Sequence, residues 1–292
     1  MAKRCLTACT GSTLPGLLKM CLKTDIHMRM NNQTEGPFVL SVISGKGGVG
    51  KSMTSVNLSE MLTLIGFSVA LIDADIGLSN CATLLNEQVH GSVAGWIRGE
   101  NGLEDLPQDA GGITLITGSD DPAHHTFDPD LMVDALDQIV SHLSADYDFI
   151  IIDTPAGAGE MTLWALDRAH VGTIILVDEP TAISDIYRLC KYVYSIDPGF
   201  NFAAVVNFAD DEESAESTCK RFNHILDYFL KKQVNYLGFI PASIAVKNSV
   251  KDQQTLLQSN PGDPILDELR FIAENVAGMA GKVPQRAEKP VL

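Results

Sequence analysis

One short segment of the chain combines four glycines, two lysines and a serine. It reads Gly45, Lys46, Gly47, Gly48, Val49, Gly50, Lys51 and Ser52, and Met53 follows it. The spacing matches G-x-x-x-x-G-K-[ST], in which backbone N–H groups close around phosphate oxygens and the following helix adds its positive end. We expect Lys51 to reach the β- and γ-phosphates of a nucleotide and the Ser52 hydroxyl to ligate Mg²⁺.

Polar side chains follow several apolar runs farther along the chain. Asp73 and Asp75 come after the run 68–72, and Asp153 comes after the run 149–152. Asn207 follows a later run of the same kind. A carboxylate at the end of an apolar strand needs a charged or hydrogen-bonded partner, and Mg²⁺ is a natural one for Asp153.

The elements that carry these residues alternate between short apolar strands and amphipathic helices. Predicted strands cover 38–44, 68–72, 113–117, 149–152, 173–177, 202–206 and 236–240. A first helix is predicted from the end of the glycine-rich segment to about residue 65, and further helices cover 129–143, 181–194, 212–231 and 264–279. This alternation predicts an α/β fold: a single-domain, doubly wound, mainly parallel sheet with helices on both faces. The polar residues listed above would then meet at the carboxyl edge of the sheet, together with Asp178 and Glu179.

The chain divides by pattern into three parts. Residues 1–36 have no clear period and are predicted to be a loosely ordered extension, 37–281 form the domain, and 282–292 form a flexible tail. No internal repeat and no inter-domain linker interrupts the middle part.

Composition excludes several classes of protein. Apolar residues make up 45% of the 292 residues, which excludes wholesale disorder, and no apolar run reaches the ~18 residues of a membrane-spanning helix. The net charge of −16 disfavours binding to bulk nucleic acid or anionic lipid. Six cysteines occur without any C-x-x-C pair, which is typical of reduced thiols in a cytosolic protein, so we expect a cytoplasmic location.

The second lysine of the glycine-rich segment, Lys46, carries a resemblance to a known family. With it the segment resembles the deviant Walker A loop of the MinD/ParA (SIMIBI) ATPases, in which this first lysine reaches the partner's nucleotide across a dimer. The segment from Leu71 to Asn80 resembles the family's switch I, and Phe149 to Gly157 resembles its Walker B strand and switch II. The resemblance covers about 38–275.

The resemblance implies a role for each matched residue. Lys46, Lys51 and Asp75 would be catalytic, with Asp75 positioning the attacking water. Asn80 would lie near the phosphates, and the base would be contacted by Asn207 and Pro241. Mg²⁺ would be held by Ser52, Asp73 and Asp153, although a buried structural role for Asp73 stays open.

One segment points to a branch of this family. Asp178 to Leu189 resembles the FlhG/FleN branch of flagellar-number regulators, although Pro180 also suits an ordinary helix start. The resemblance implies a Mg²⁺-dependent ATPase that is a monomer with ADP and a homodimer with ATP, and that controls flagellar number or placement. The alternatives are a MinD-like division-site ATPase, a ParA-like cargo-positioning ATPase, and a nucleotide-gated scaffold that hydrolyses little.

The end of the chain bears on membrane binding. The helix predicted at 264–279 carries Asp267, Glu268 and Glu274 against Arg270, whereas an interfacial helix needs a basic polar face. We therefore expect this helix to dock on the core and direct membrane binding to be weak. Six basic residues between Lys220 and Lys251 are expected to lie on solvated helix faces, so strong DNA binding is not expected either. Recruitment to the membrane or the cell pole would then need a protein partner from the flagellar or positioning machinery.

Overall fold

In the computed structural model, residues 36–75, 80–119 and 129–284 are described. The predicted N-terminal extension lies almost wholly outside these ranges, and so do residues 285–292 of the predicted tail. Four residues of the segment that resembles switch I, 76–79, also lie outside them. The domain boundaries stay predictions.

Eight strands form one sheet in the order β3-β4-β2-β5-β1-β6-β7-β8. They are β1 (Phe38–Ile43), β2 (Val69–Asp73), β3 (Gln108–Ala110), β4 (Ile113–Ile116), β5 (Phe149–Asp153), β6 (Val171–Leu176), β7 (Phe202–Ala209) and β8 (Asn235–Pro241). All neighbouring pairs are parallel except β3 with β4, which are antiparallel. The mainly parallel sheet predicted from the sequence is therefore confirmed.

Helices cover both faces of the sheet. Those described are α1 (Lys51–Leu64), α2 (Cys81–Leu84), α3 (Val93–Arg98), α4 (Pro129–Leu143), α5 (Glu160–Arg168), α6 (Pro180–Ile196), α7 (Glu212–Leu230), α8 (Ile244–Asp252), α9 (Leu256–Ser259) and α10 (Ile265–Met279). A short 3₁₀ turn lies at Leu103–Asp105.

Successive side chains of each central strand contribute to two different apolar cores, one on each face of the sheet. Leu71 and Ile151 belong to the core beneath α1 and α10, whereas their neighbours Ile72 and Ile150 belong to the core beneath α4 and α5. Successive side chains of a strand point to opposite faces, so strands buried on both faces are apolar throughout. This is why the sequence pattern predicted the doubly wound arrangement.

Several elements differ from the sequence prediction. Strand β3 and the short helices α2, α3, α5, α8 and α9 were not predicted, because segments of three to nine residues give too little periodic signal. Strands β7 and β8 are longer than predicted, so Asn207 lies inside β7 and Pro241 is the last residue of β8, whereas both were expected just beyond these strands. A register shift between Asn207 and Ala209 lets β7 continue past its predicted end.

The last helix docks on the core, as the sequence predicted. Helix α10 buries Ile265, Leu269, Ile272, Ala273, Val276 and Ala277, and it packs against α1 and β8. Within the described ranges, the structure contains no helix whose length and apolarity would let it cross a bilayer.

Candidate functional site

The glycine-rich segment forms a loop between β1 and α1. Gly48 and Gly50 adopt left-handed backbone angles, with φ of 77° and 91°, which favour glycine over other residues. Gly50 is also the N-cap of α1, so free amides at the start of this helix open toward the loop. The loop therefore has the backbone geometry that phosphate binding requires.

Asn207 ties this loop to strand β7. Its buried side-chain amide donates a hydrogen bond to the Val49 carbonyl oxygen at 2.8 Å and accepts one from the Phe208 backbone N–H at 2.9 Å. The backbone of Phe208, which donates this second hydrogen bond, has a left-handed φ of 59°, an uncommon angle for an aromatic residue. The sequence assigned Asn207 only to the base, and its bond to the loop could not be read from residue spacing.

Gly45 brings the loop against helix α6. A Cβ atom at Gly45 would lie 2.6 Å from the Ile186 backbone nitrogen and 2.7 Å from the Ala182 carbonyl oxygen. Only glycine permits this approach, so the loop rests directly on the helix backbone of the segment that resembles the flagellar branch.

Two carboxylates face each other beside the loop. Asp73 and Asp153 are register partners on the parallel strands β2 and β5, and both side chains are fully buried. Ser52 Oγ donates to Asp153 Oδ2 at 2.6 Å, and Ser55 Oγ donates to Asp153 Oδ1 at 2.9 Å. The structure thus brings together the three residues predicted to hold Mg²⁺.

Asp73 is held by backbone groups. Its Oδ1 accepts a hydrogen bond from the Asp75 backbone N–H at 3.1 Å, and its Oδ2 accepts one from the Cys81 backbone N–H at 3.0 Å. The Cys81 thiol lies 3.7 Å from Asp153 Oδ2. Cys81 is therefore a member of the site that the sequence did not reveal. It reaches the carboxylates because the start of α2 lies beside the ends of β2 and β5.

Burial sets the protonation of this cluster. It raises the pKa of Asp73 to about 8, and the nearby charge of Asp153 adds to the effect. Burial also raises the pKa of Asp153, although Ser52, Ser55 and Lys51 oppose the shift. Burial lowers the pKa of the Lys51 ammonium, and Asp153 and Asp75 partly offset it. A divalent cation would remove much of this mutual repulsion, so the donor set fits Mg²⁺.

The other predicted residues lie around this centre. Asp75 is half-buried, and Asn80 is the exposed N-cap of α2. Met53 is buried under the loop, and Pro241 is half-buried at the end of β8. Their predicted contacts with a nucleotide stay predictions.

Lys46 forms an ion pair within its own chain. Its Nζ lies 2.6 Å from Glu179 Oε2, and about half of each side chain is exposed. The neighbouring Asp178 pairs with Arg221 of α7. The residues that precede α6 therefore connect the loop to α7. The strand pattern predicted Asp178 and Glu179 at the carboxyl edge of the sheet, but it did not identify their ion-pair partners, which are far away along the chain.

The comparisons with known proteins agree with this geometry. A ParA family model, described as NUBPL iron-transfer P-loop NTPase, matches residues 37–277. The chain therefore belongs to the ParA/MinD family of P-loop NTPases.

Two relatives point to one part of the family. The chain is 29% identical over 239 residues to the antiactivator FleN of Pseudomonas aeruginosa, covering 82% of this chain and 85% of that protein. It is 30% identical over 237 residues to the flagellum site-determining protein YlxH of Helicobacter pylori, covering 80% of each. Among solved structures, MinD of Pyrococcus horikoshii with Mg-ADP matches with a TM-score of 0.67 at 21% identity, covering 85% of this chain and 100% of that one.

Gly50 and Gly48 allow a matched test of the loop's anchor. A Cβ at Gly50 would lie 2.3 Å from the Asn207 amide nitrogen, whereas a Cβ at Gly48 meets no atom within 4 Å. Gly48→Ala should lower the free energy of unfolding by about 1–2 kcal/mol, through backbone strain alone. Gly50→Ala should lower it by about 2–5 kcal/mol, because it also displaces a buried hydrogen bond.

Chemical denaturation of the nucleotide-free protein measures both effects. In an Asn207→Ala background the two glycine substitutions should become equally destabilising. If Gly50→Ala still lowers the free energy of unfolding more than Gly48→Ala in that background, the contact with Asn207 is not the reason for the difference.

The raised pKa of Asp73 predicts a pH dependence of stability. A carboxyl group with a pKa of about 8 in the folded protein and about 3.8 in the unfolded protein keeps its proton up to a higher pH in the folded state. Its stabilising contribution is complete below the unfolded value and is lost as the pH rises through 8. We expect the free energy of unfolding to vary less with pH in Asp73→Asn than in the wild type, between about pH 5 and pH 9.

Denaturation without nucleotide or divalent cations measures this difference. A constant offset between the two proteins carries no information here, because Asn also alters two hydrogen bonds. Equal pH slopes would show that Asp73 titrates like an exposed carboxyl group.

Proposed function

We propose that this chain is a Mg²⁺-dependent ATPase switch that dimerises with ATP and controls flagellar number or placement. The observation that carries the nucleotide part is the Ser52 hydroxyl, bonded to Asp153 where the glycine-rich loop enters α1. The names of the two flagellar relatives support the biological part.

Each residue has one task in this proposal. Mg²⁺, when bound, supplies positive charge to the β- and γ-phosphates. Ser52, Asp73 and Asp153 hold that ion, while Lys51 and the loop amides bind the phosphate oxygens. Asp75 orients the attacking water. The nucleotide base would be contacted at the edge formed by Asn207 and Pro241.

Dimerisation would require Lys46 to change partner. In the monomer Lys46 pairs with Glu179, and an ion pair with both side chains half exposed contributes only ~0.2–1 kcal/mol. A phosphate group on a partner's nucleotide carries more charge than one carboxylate, so the exchange is favourable. The ion pair would keep Lys46 engaged while ATP is absent.

A division-site role is the second candidate. The chain is 28% identical over 246 residues to the septum site-determining protein MinD of Synechocystis. A scaffold that hydrolyses little is a third reading, and Lys46, Lys51, Asp75 and Asp153 together disfavour it. We propose a cytoplasmic location for the protein. The apolar side chains of α10 are buried in the core and are not available to a membrane, so recruitment to the membrane or pole would need a partner.

The two loop lysines should separate binding from dimerisation. Lys51→Ala should abolish ATP binding, because it removes the charge nearest the β- and γ-phosphates. Lys46→Ala should retain most ATP affinity but lose the ATP-dependent dimer. Nucleotide titration and analytical ultracentrifugation measure the two properties, with Lys247→Ala as a surface control.

An ATP-dependent dimer of normal stability in Lys46→Ala would contradict the proposed role of Lys46. If Glu179 retains Lys46 in the monomer, Glu179→Gln should strengthen the dimer by up to about 30-fold, as expected when each of the two subunits no longer has an exposed ion pair to break.

The flagellar role predicts a specific phenotype. Deletion of the gene should change the number or position of flagella and leave the division site in place. Electron microscopy of flagella and measurement of minicell frequency distinguish the two roles. Minicells from cells with normal flagella would favour the division-site alternative, and complementation with Lys51→Ala should fail in either case.

A further inference from the structure

Three side chains with metal-binding atoms converge beside the loop. Asp73 ends β2, Asp153 ends β5, and Cys81 begins α2. Their carboxylate oxygens and thiol sulfur all lie within 4.8 Å of one another, and all three residues are fully buried. Three separate segments of the chain thus supply one compact set of ligands.

The thiol is an unusual neighbour for a magnesium site. Mg²⁺ takes oxygen ligands, whereas cysteine sulfur selects softer cations such as Zn²⁺. Carboxylate oxygens accept either ion. Cys81 therefore gives this cluster an affinity that an all-oxygen site would lack.

The spacing also suits a tetrahedral cation. Zn–S and Zn–O bonds of ~2.3 and ~2.1 Å place sulfur and oxygen about 3.6 Å apart at the tetrahedral angle. The Cys81 sulfur lies 3.7 Å from Asp153 Oδ2. Asp73 accepts one backbone hydrogen bond on each oxygen, so each oxygen keeps a lone pair for a metal.

We propose that Asp73, Cys81 and Asp153 bind a thiophilic divalent cation, Zn²⁺ or its substitute Cd²⁺, at a position that overlaps the proposed Mg²⁺ site. The metal–sulfur bond forms as the thiol proton leaves to solvent, and no group is oxidised or reduced. Three protein ligands leave a fourth position for water. Binding of the soft cation excludes Mg²⁺, so it prevents productive use of ATP; this last consequence alone rests on the proposed function.

The test uses Cd²⁺ and the full chain without nucleotide. Cys5, Cys9 and Cys21 are first replaced by Ser, so that Cys81, Cys190 and Cys219 remain. Cd²⁺ titration should produce the ultraviolet sulfur-to-metal charge-transfer band of one thiolate. Cys81→Ser in this background should abolish the band and weaken Cd²⁺ binding at least ~10-fold.

Two controls locate the site. Cys190→Ser removes a buried thiol of α6 and should leave both the band and the affinity unchanged. Asp153→Asn should weaken Cd²⁺ binding while the thiol is intact. A band that survives Cys81→Ser, a band lost in Cys190→Ser, or an affinity unaffected by Asp153→Asn would each overturn the proposal.

A second arm tests the overlap with Mg²⁺. Saturating Mg²⁺ with ADP should remove the charge-transfer band of the parent protein, because the two cations use the same carboxylates. Persistence of the band while ADP is bound would refute the overlap. The first arm contains no nucleotide, so a failure of the proposed ATPase function would leave its result intact.

Discussion

Two carboxylates that face each other without contact with water impose the main constraint on this molecule. The parallel register of β2 and β5 sets Asp73 opposite Asp153, and burial beside Asp153 raises the pKa of Asp73 to about 8, so the pair resists carrying two negative charges. Hydrogen bonds from Ser52 and Ser55 relieve part of this repulsion, and these come from α1. A cation bound between the two carboxyl groups would relieve the rest, which is the basis of the proposed metal site.

The same constraint connects the loop to the sheet. Helix α1 must start close to β5 for Ser52 to reach Asp153, and its start is fixed by Gly50 under the amide of Asn207. Gly45 rests on α6, whose preceding residue Glu179 holds Lys46. Strands β5 and β7 and helices α1 and α6 therefore determine the position of one short loop.

Much of this arrangement could be predicted from the sequence. Apolar strands alternating with amphipathic helices predicted the parallel sheet, and the position of Asp73 and Asp153 after such strands predicted their meeting. The approach of Cys81 to the carboxylates, the ion pair of Lys46 with Glu179 and the loop bond of Asn207 could not be predicted. Each depends on contacts between distant segments, which residue spacing does not encode. Strand β3 was missed because Gln108–Ala110 is short and mostly polar.

The packing of α1 has a consequence for synthesis of the chain. This helix packs against α10, and Asn57 accepts a hydrogen bond from the Leu256 backbone N–H at 2.8 Å. Helix α1 ends at Leu64 and α10 ends at Met279, so translation at ~5–20 residues per second completes α10 roughly 10–40 s later. During that interval α1 lacks the cover that α10 gives it in the folded domain. The apolar surface that α10 covers in the folded domain is therefore accessible to chaperones on the ribosome until nearly the whole domain has been made.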